Sequence, residues 1–206
     1  MPKLVDHDQR REEVAEAAWR VIGRDGIGGA TLREIAREAG FTTGVIQHYF
    51  RDRDELLAFA ASLISEQCAV RLQEAIAIHP PGRARLRALL DVLVPANLRA
   101  ARVAVLLGFW AQAATDPRHN AIYLRQYARL RACFREQIAL AAAAGAVAPG
   151  HDLDDLTDHL IAFGDGLCMR AGLDPERYPQ ARRDHLIERA LDALRHRPGR
   201  DASPCP

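Results

Sequence analysis

The sequence predicts an all-α fold, and three observations lead to that prediction. Alanine, leucine, arginine and glutamate, which are good helix formers, dominate the chain of 206 residues. Alternation of β-branched and polar residues, the pattern of a half-buried strand, is absent. Apolar residues instead recur at helical spacing, and segments rich in glycine or proline interrupt them.

These interruptions divide the chain into nine predicted helices. "RDGIGG" ends the first, Thr31 and Glu34 have the spacing of a capping box at the start of the second, and Gly40 ends it. Asp52 can cap the fourth, which "HPPG" ends. We expect helices over residues 9–24, 31–39, 42–50, 52–78, 83–93, 98–115, 119–144, 153–171 and 179–195. Residues 198–206 are predicted to be a disordered tail.

The short second and third helices predict a helix-turn-helix over residues 31–50. About three residues containing Gly40 separate them, and glycine suits a turn with positive φ. Ala36 is small where the two helices cross, and Ile46 is the apolar anchor of the second helix. A plain helical hairpin with a glycine cap is the alternative at this point.

The outer face of the third helix favours a nucleic-acid interface. Thr43, Gly44, Gln47 and His48 point away from the apolar side, and this face carries no large apolar group. Gly44 allows close approach, and Gln47 can bond the N6 and N7 atoms of adenine. A merely solvated face usually carries lysine and glutamate, which are absent here. Net charge is only +1, so the prediction depends on geometry.

The segment "TLREIAREAGFTTGVIQHYFRDRDELL" resembles the DNA-binding segment of the TetR family of bacterial transcriptional repressors. The resemblance covers residues 8–68 and implies double-stranded operator DNA as a partner. It also implies that Thr31 and Tyr49 meet phosphates and that Arg53, where the family usually has lysine, meets another. Gln47 stands where tyrosine is more usual. The predicted DNA-binding set is Thr31, Thr42, Thr43, Gly44, Gln47, His48, Tyr49 and Arg53.

The second half resembles the C-terminal domain of the subgroup typified by the choline-sensing repressor BetI. The elements "FWAQA" and "DGL" carry this likeness. It implies a larger helical domain over residues 69–197 that binds a small-molecule effector and forms a homodimer. Choline recognition uses an aromatic cage, and aromatic residues make up only 6% of this chain, so the effector stays unidentified.

Nine residues are predicted to line the effector cavity, and ordinary core packing is the alternative for each. Trp110 is the leading candidate, because a large ring with one donor suits a cavity wall. The set is Phe109, Trp110, Gln112, Tyr123, Tyr127, Arg131, Phe134, Phe163 and Cys168.

Two glycines inside an apolar helix predict a dimer interface. Gly164 and Gly166 in "FGDGL" each cost about 1 kcal/mol relative to alanine, which close helix approach would explain. A kink beside the effector cavity is the alternative. The predicted interface contains Gly164, Gly166, Leu167, Leu186, Ile187, Ala190, Leu191 and Leu194.

A helical metal-dependent enzyme is the alternative function. The segment 151–159 concentrates histidine and aspartate, and Asp155 and His159 share a helix face. Favourable negative charge at a helix N-terminus explains the cluster better. We therefore predict a regulator without catalytic, cofactor or metal sites. Because no signal peptide, membrane span or CxxC pair is visible, the predicted location is the cytoplasm.

Overall fold

A computed structural model describes residues 7–196, and these residues form nine α-helices without a strand. The predicted all-α class is confirmed. The helices are α1 (His7–Gly29), α2 (Leu32–Ala39), α3 (Thr43–Tyr49), α4 (Arg53–Ile78), α5 (Arg83–Leu93), α6 (Ala100–Ala113), α7 (Pro117–Ala143), α8 (Leu153–Leu173) and α9 (Gln180–Ala193). None of them is both long and apolar enough to cross a bilayer. The predicted tail, residues 198–206, lies outside the described part of the chain.

The observed helix ends lie within two residues of the predicted ones, except at the carboxyl end of α1. The helix predicted over 83–93 is matched at both ends, whereas α1 continues past Arg24 to Gly29. Gly26 takes a φ of 74° and a ψ of 171°, which breaks the helical path inside the element. One further turn then forms, so "RDGIGG" interrupts the helix instead of ending it.

The first compact unit contains residues 7–67 and 99–126. Its core joins the apolar side of α1 to Ile35 of α2, Ile46 of α3 and Leu56 of α4, and each of these three side chains is fully buried. Helix α6 packs on α1 as well. Gly108 allows this close contact, because a Cβ at that position would overlap the Cδ1 atom of Ile27. This compact unit includes α6 and the first part of α7 in addition to most of the predicted N-terminal domain, 8–68.

The second compact unit contains residues 68–98 and 127–196, and its helix α5 packs on α8 and α9. Two buried arginines fix the chain on either side of α5. Arg85 donates to the carbonyl of His79 at 2.6 Å and to the Gln137 side chain at 2.7 Å. Arg183 donates to the carbonyl of Pro95 at 2.7 Å. These hydrogen bonds offset part of the cost of burying the two charges, although the Nε atom of Arg183 is buried without a hydrogen-bond partner within residues 7–196.

Candidate DNA-binding site

Helices α2 and α3 form the predicted helix-turn-helix. Gly40 has a φ of 73° and a ψ of 25°, which is the left-handed conformation predicted for the turn. Its N–H donates to the carbonyl of Arg37 at 3.3 Å, and the next N–H, of Phe41, donates to Ala36 at 2.9 Å. The turn therefore satisfies the last carbonyls of α2 and directs the chain into α3.

Threonine hydroxyls cap both helices of the motif. The Thr31 hydroxyl accepts a hydrogen bond from the N–H of Glu34 at 3.2 Å, and the Thr42 hydroxyl accepts one from Val45 at 3.3 Å. Only half of the predicted capping box forms, because the Glu34 carboxylate binds Arg37 at 2.7 Å instead of turning back. Both threonines are exposed, and each hydroxyl keeps a proton that it can donate to a phosphate.

The outer face of α3 is exposed and combines polar groups with one apolar side chain. Gly44, Gln47 and His48 are exposed, whereas Thr43 is half-buried. Val45 lies on the same outer side and is 39% exposed. The expectation that this face has no large apolar group is therefore wrong. The expectation considered only the residues four apart, Thr43 with Gln47 and Gly44 with His48. Val45 belongs to neither pair, yet it flanks His48 on this seven-residue helix.

Three aromatic rings meet at the carboxyl end of α3. His48 and Tyr49 lie edge to face with their ring centroids 5.3 Å apart. The His7 ring lies 5.8 Å from His48 and 5.4 Å from Tyr49. This contact holds the amino end of α1 beside α3 and limits the orientations open to Tyr49, which is half-buried.

Arg53 binds its own chain, which differs from the expected phosphate contact. Its Nε atom donates to the carbonyl of Ala30 at 2.7 Å, and its Nη2 atom donates to the carbonyl of Ile27. The Ile27 carbonyl lies in the last turn of α1, and the Ala30 carbonyl lies between α1 and α2. The guanidinium therefore fixes the chain just before the helix-turn-helix. The resemblance to a family with lysine at this position did not predict these hydrogen bonds.

Arg33 is a DNA-facing candidate that the sequence analysis missed. It lies in the first turn of α2, two residues after Thr31, and is exposed. Its guanidinium has no hydrogen bond or ion pair with any residue in 7–196, in contrast to Arg37, which binds Glu34, and Arg51, which binds Asp52. Its position two residues after the capping threonine was the available signal, since the first helix of this motif crosses the DNA backbone.

Four of the predicted effector contacts belong to the first unit. Phe109 is buried in its core. Trp110 is half-buried and meets Tyr123 edge to face, with ring centroids 6.5 Å apart. The Oε1 atom of Gln112 is buried and has no hydrogen-bond partner within residues 7–196. Buried acceptors are normally satisfied, so this atom is suited to a donor on a bound molecule.

The other five predicted contacts belong to the second unit, where two of them have a different role. Arg131 donates to Asp158 at 2.7 Å and to Asp154 at 2.9 Å, and Tyr127 donates to Asp158 at 3.1 Å. These two side chains connect α7 to α8. Phe134 and Cys168 are buried and Phe163 is half-buried. A surface groove of about 690 Å³ in this unit contains none of the five and is lined by Ala142, Gly145, Val147, Ala148, Pro149, Gly150, His151, Leu153 and Arg195.

The predicted dimer interface divides into buried and accessible residues. A Cβ at Gly164 would lie 2.8 Å from Leu93 Cδ1, so this glycine serves the contact of α8 with α5 in its own subunit. The contact with Leu93 accounts for this glycine, and its role at a dimer interface stays a prediction. Leu167, Ile187, Leu191 and Leu194 are also buried in their own subunit. Gly166 is exposed with no atom near its Cβ position, and Leu186 and Ala190 are half-buried.

The histidine and aspartate cluster of residues 151–159 is held by the chain itself. Asp152 caps α8 by accepting from the N–H of Asp154 at 2.8 Å. Hydrogen bonds from Arg135, and then from Arg131, hold the pKa of Asp154 below its ordinary value. Within residues 7–196 no three histidine, cysteine, aspartate or glutamate side chains are arranged to hold a metal. The cluster therefore has a structural explanation.

The chain matches known regulators over most of its length. Residues 14–59 match the model of bacterial regulatory proteins of the tetR family, and residues 81–196 match the C-terminal model of BetI-type transcriptional repressors. The HTH-type transcriptional regulator PksA of Bacillus subtilis strain 168 is 35% identical over 202 residues, which cover 94% of each chain.

Solved structures show the same architecture. A transcriptional regulator from Rhodococcus sp. Rha1 is 28% identical with a TM-score of 0.77, and the match covers 89% of this chain and 95% of that one. A regulator from Saccharomonospora viridis, solved in complex with choline, is 24% identical with a TM-score of 0.78, covering 92% and 97%. The chain thus belongs to the TetR family and is a DNA-binding transcriptional regulator with a BetI-type C-terminal part.

Proposed function

We propose that the protein represses transcription by binding a palindromic operator as a homodimer and that a small-molecule effector releases it. The observation that carries this proposal is the exposed face of α3, where Gly44, Gln47 and His48 are presented without ion pairs. A helix that enters the major groove needs small and hydrogen-bonding groups on its outer side. The metal-dependent enzyme is not supported, because the family is one of regulators and the acidic cluster is occupied by arginines.

The contacts divide into those that position the protein and those that read sequence. Thr31 and Arg33 at the start of α2 supply a hydroxyl and a charge to the phosphate backbone. Gln47 bonds the N6 and N7 atoms of an adenine, and Gly44 allows the α3 backbone to approach the bases. Thr42, Thr43, His48 and Tyr49 complete the surface, whereas Arg53 acts indirectly by holding the segment before α2.

A homodimer is supported by the outward side of α8. Ala162 and Gly166 are exposed there, and Leu173 is 69% exposed at the end of the helix. Leu186 and Ala190 of α9 are also accessible. Small and apolar groups on a helix surface allow a second helix to pack closely, and a two-fold dimer requires a palindromic site.

Effector binding is supported by Trp110, Tyr123 and the unsatisfied Gln112 acceptor in the first unit. A molecule that occupies this region must bind the released conformation better than the DNA-bound one, because only a difference in affinity shifts the equilibrium. We propose that α4, which begins at Arg53, transmits the change and alters the spacing of the two α3 helices. A coupling of about 1–3 kcal/mol is typical of such switches.

Fluorescence anisotropy with the DNA upstream of the protein's own gene tests operator binding. The unmodified protein should prefer this DNA to random DNA of equal length. Gln47→Ala should weaken cognate binding by about 1–3 kcal/mol and relax preference at one position. Gln73→Ala, at an exposed glutamine of α4, is the matched control and should change nothing. Equal binding of cognate and random DNA by the unmodified protein would overturn the proposal.

Sedimentation tests the assembly. The unmodified protein should sediment as a dimer, and Gly166→Leu should shift it to a monomer by filling the space between paired helices. Ala84→Leu, at an exposed alanine of α5, is the control for an added surface leucine. A monomer that binds DNA tightly would rule out the dimeric mode.

The two tryptophans allow a test of release. In a Trp19→Phe protein, the emission of Trp110 should change on addition of an inducing compound with the same midpoint as operator release. Choline, present in the Saccharomonospora structure, is a suitable first compound. Saturating operator should lower the affinity for that compound by the same factor by which the compound lowers affinity for operator. Independent binding of the two would contradict the switch.

A further inference from the structure

We propose that Val45 determines sequence specificity by contacting the C5-methyl group of a thymine in each operator half-site. This inference rests on the proposed operator binding and names one chemical feature of the DNA that it reads. Hydrogen-bonding readout leaves one property of α3 unexplained, namely the apolar side chain of Val45 on its exposed face.

The position of Val45 is fixed by the cap of α3. Its N–H donates to the Thr42 hydroxyl at 3.3 Å and to the Thr42 carbonyl at 3.1 Å. A β-branched side chain has one strongly preferred rotamer in a helix, so its two methyl groups point in a set direction. The side chain is 39% exposed, whereas Ile46, the next residue, is fully buried as the anchor of the helix.

An exposed valine at this position brings no benefit to the free protein. Valine is a weaker helix former than alanine, lysine or glutamate, and α3 has only seven residues. Val45 also lies outside the apolar core of the first unit, which contains Ile46 and Phe50. A bound partner that covers the valine with an apolar group would supply the missing stabilisation.

The major groove offers one apolar group, which is the C5-methyl of thymine. Phosphates and the edges of the other bases are polar and would leave the valine against hydrogen-bonding atoms. Val45 flanks His48 on the exposed side of α3, which also carries Gly44 and Gln47. If this side enters the groove, the valine therefore lies close to the bases. The sequence read by the half-site therefore includes a thymine at a position distinct from the adenine that Gln47 contacts.

Replacing thymine by deoxyuridine tests this contact, since uracil lacks the methyl group and keeps every hydrogen bond. An operator is first recovered from a random synthetic library with the unmodified protein. Because such DNA contains no methylated cytosine, thymine is its sole source of C5-methyl groups. Each thymine is then replaced in turn, in both half-sites together, and affinity is measured by anisotropy for the unmodified protein, Val45→Ala and Val45→Thr.

The unmodified protein should lose about three- to fourfold affinity per half-site at one position and about tenfold for the symmetric pair. Val45→Ala should bind the full operator with similarly reduced affinity and should no longer respond to deoxyuridine at that position. Val45→Thr, which keeps one methyl group, should respond partially. Val70→Ala, at a valine of α4 that is 59% exposed, is the control and should behave as the unmodified protein.

The outcomes separate this inference from the function on which it rests. If the unmodified protein recovers no operator from the library, the proposed operator binding is wrong and the inference fails with it. If it binds an operator but Val45→Ala keeps the same pattern of deoxyuridine sensitivity, only the thymine contact is wrong. Thermal unfolding should show no loss of stability in any variant, because Val45 lies outside the core.

Discussion

The role of Arg53 gives the sharpest prediction about how the binding surface is held. Arg53→Ala removes one hydrogen bond of 2.7 Å to the Ala30 carbonyl and another to the Ile27 carbonyl. A hydrogen bond from a charged donor contributes about 1.5–3 kcal/mol. Two such bonds would contribute about 3–6 kcal/mol together, and solvent screening reduces that sum because the side chain is 35% exposed. We expect the free energy of unfolding to fall by about 2–3 kcal/mol.

Arg33→Ala is the matched comparison, because Arg33 has no partner within residues 7–196. Its loss should change stability by less than about 0.5 kcal/mol. It should instead make the slope of log affinity against log salt concentration less steep by about 0.9 for each phosphate contact, or about 2 for a dimer. Arg53→Ala should leave this salt slope nearly unchanged while weakening binding to all operators through displacement of α2.

Urea unfolding followed by circular dichroism, together with anisotropy at several salt concentrations, separates these two effects. The reasoning would be refuted by an Arg53→Ala protein that unfolds at the urea concentration of the unmodified protein and has a flattened salt slope. Arg53 would then be a phosphate contact, as the family resemblance implies, and its hydrogen bonds to the chain would be incidental.

Three further predictions concern stability. Burial raises the pKa of Asp165 to about 6 from an ordinary 3.8, so the folded state keeps a proton that the unfolded chain loses as pH rises from about 4 to 6. Asp165→Asn should therefore raise the free energy of unfolding by as much as about 3 kcal/mol at pH 7.5 and by almost nothing at pH 4. An equal increase at both pH values would contradict this. Gly164→Ala should cost about 1–3 kcal/mol in urea unfolding because its Cβ meets Leu93, whereas Gly166→Ala, with open space around its Cβ, should not destabilise the subunit. The Arg11 guanidinium carbon lies 4.7 Å from the centroid of the Phe50 ring and 4.6 Å from that of Phe59. Arg11→Ala should therefore lower the melting temperature through the loss of about 1–2 kcal/mol of cation–π stabilisation. An unchanged melting temperature would exclude that contribution.

The features that sequence predicted well depend on local chemistry. Gly40 was predicted to have positive φ because few other residues tolerate it, and the predicted caps at Thr31 and Asp52 follow from hydroxyl and carboxylate groups close to free N–H groups. Helical periodicity predicted Ile46 as a buried anchor, and its side chain is fully buried. Such features require knowledge of only a few neighbouring residues.

The features that sequence missed depend on contacts between distant residues. Nothing near Arg53 in the chain indicates that its partners lie 23 and 26 residues earlier. Gly164 has the same local pattern as Gly166, yet Leu93 of α5 separates their roles. The segment "RDGIGG" was predicted to end α1, but the helical path resumes after Gly26 and continues to Gly29. Tertiary packing decides each of these cases.

Selection of operators from random double-stranded DNA tests the central claim most directly, namely that the exposed face of α3 reads sequence in a symmetric dimer. The unmodified protein should enrich an inverted repeat whose half-site centres are separated by about 10–10.5 base pairs or a multiple of that length. Gln47→Ala should lose preference at one symmetric pair of positions and keep the spacing. Recovery of unenriched DNA, or of an identical motif with Gln47→Ala, would contradict the account.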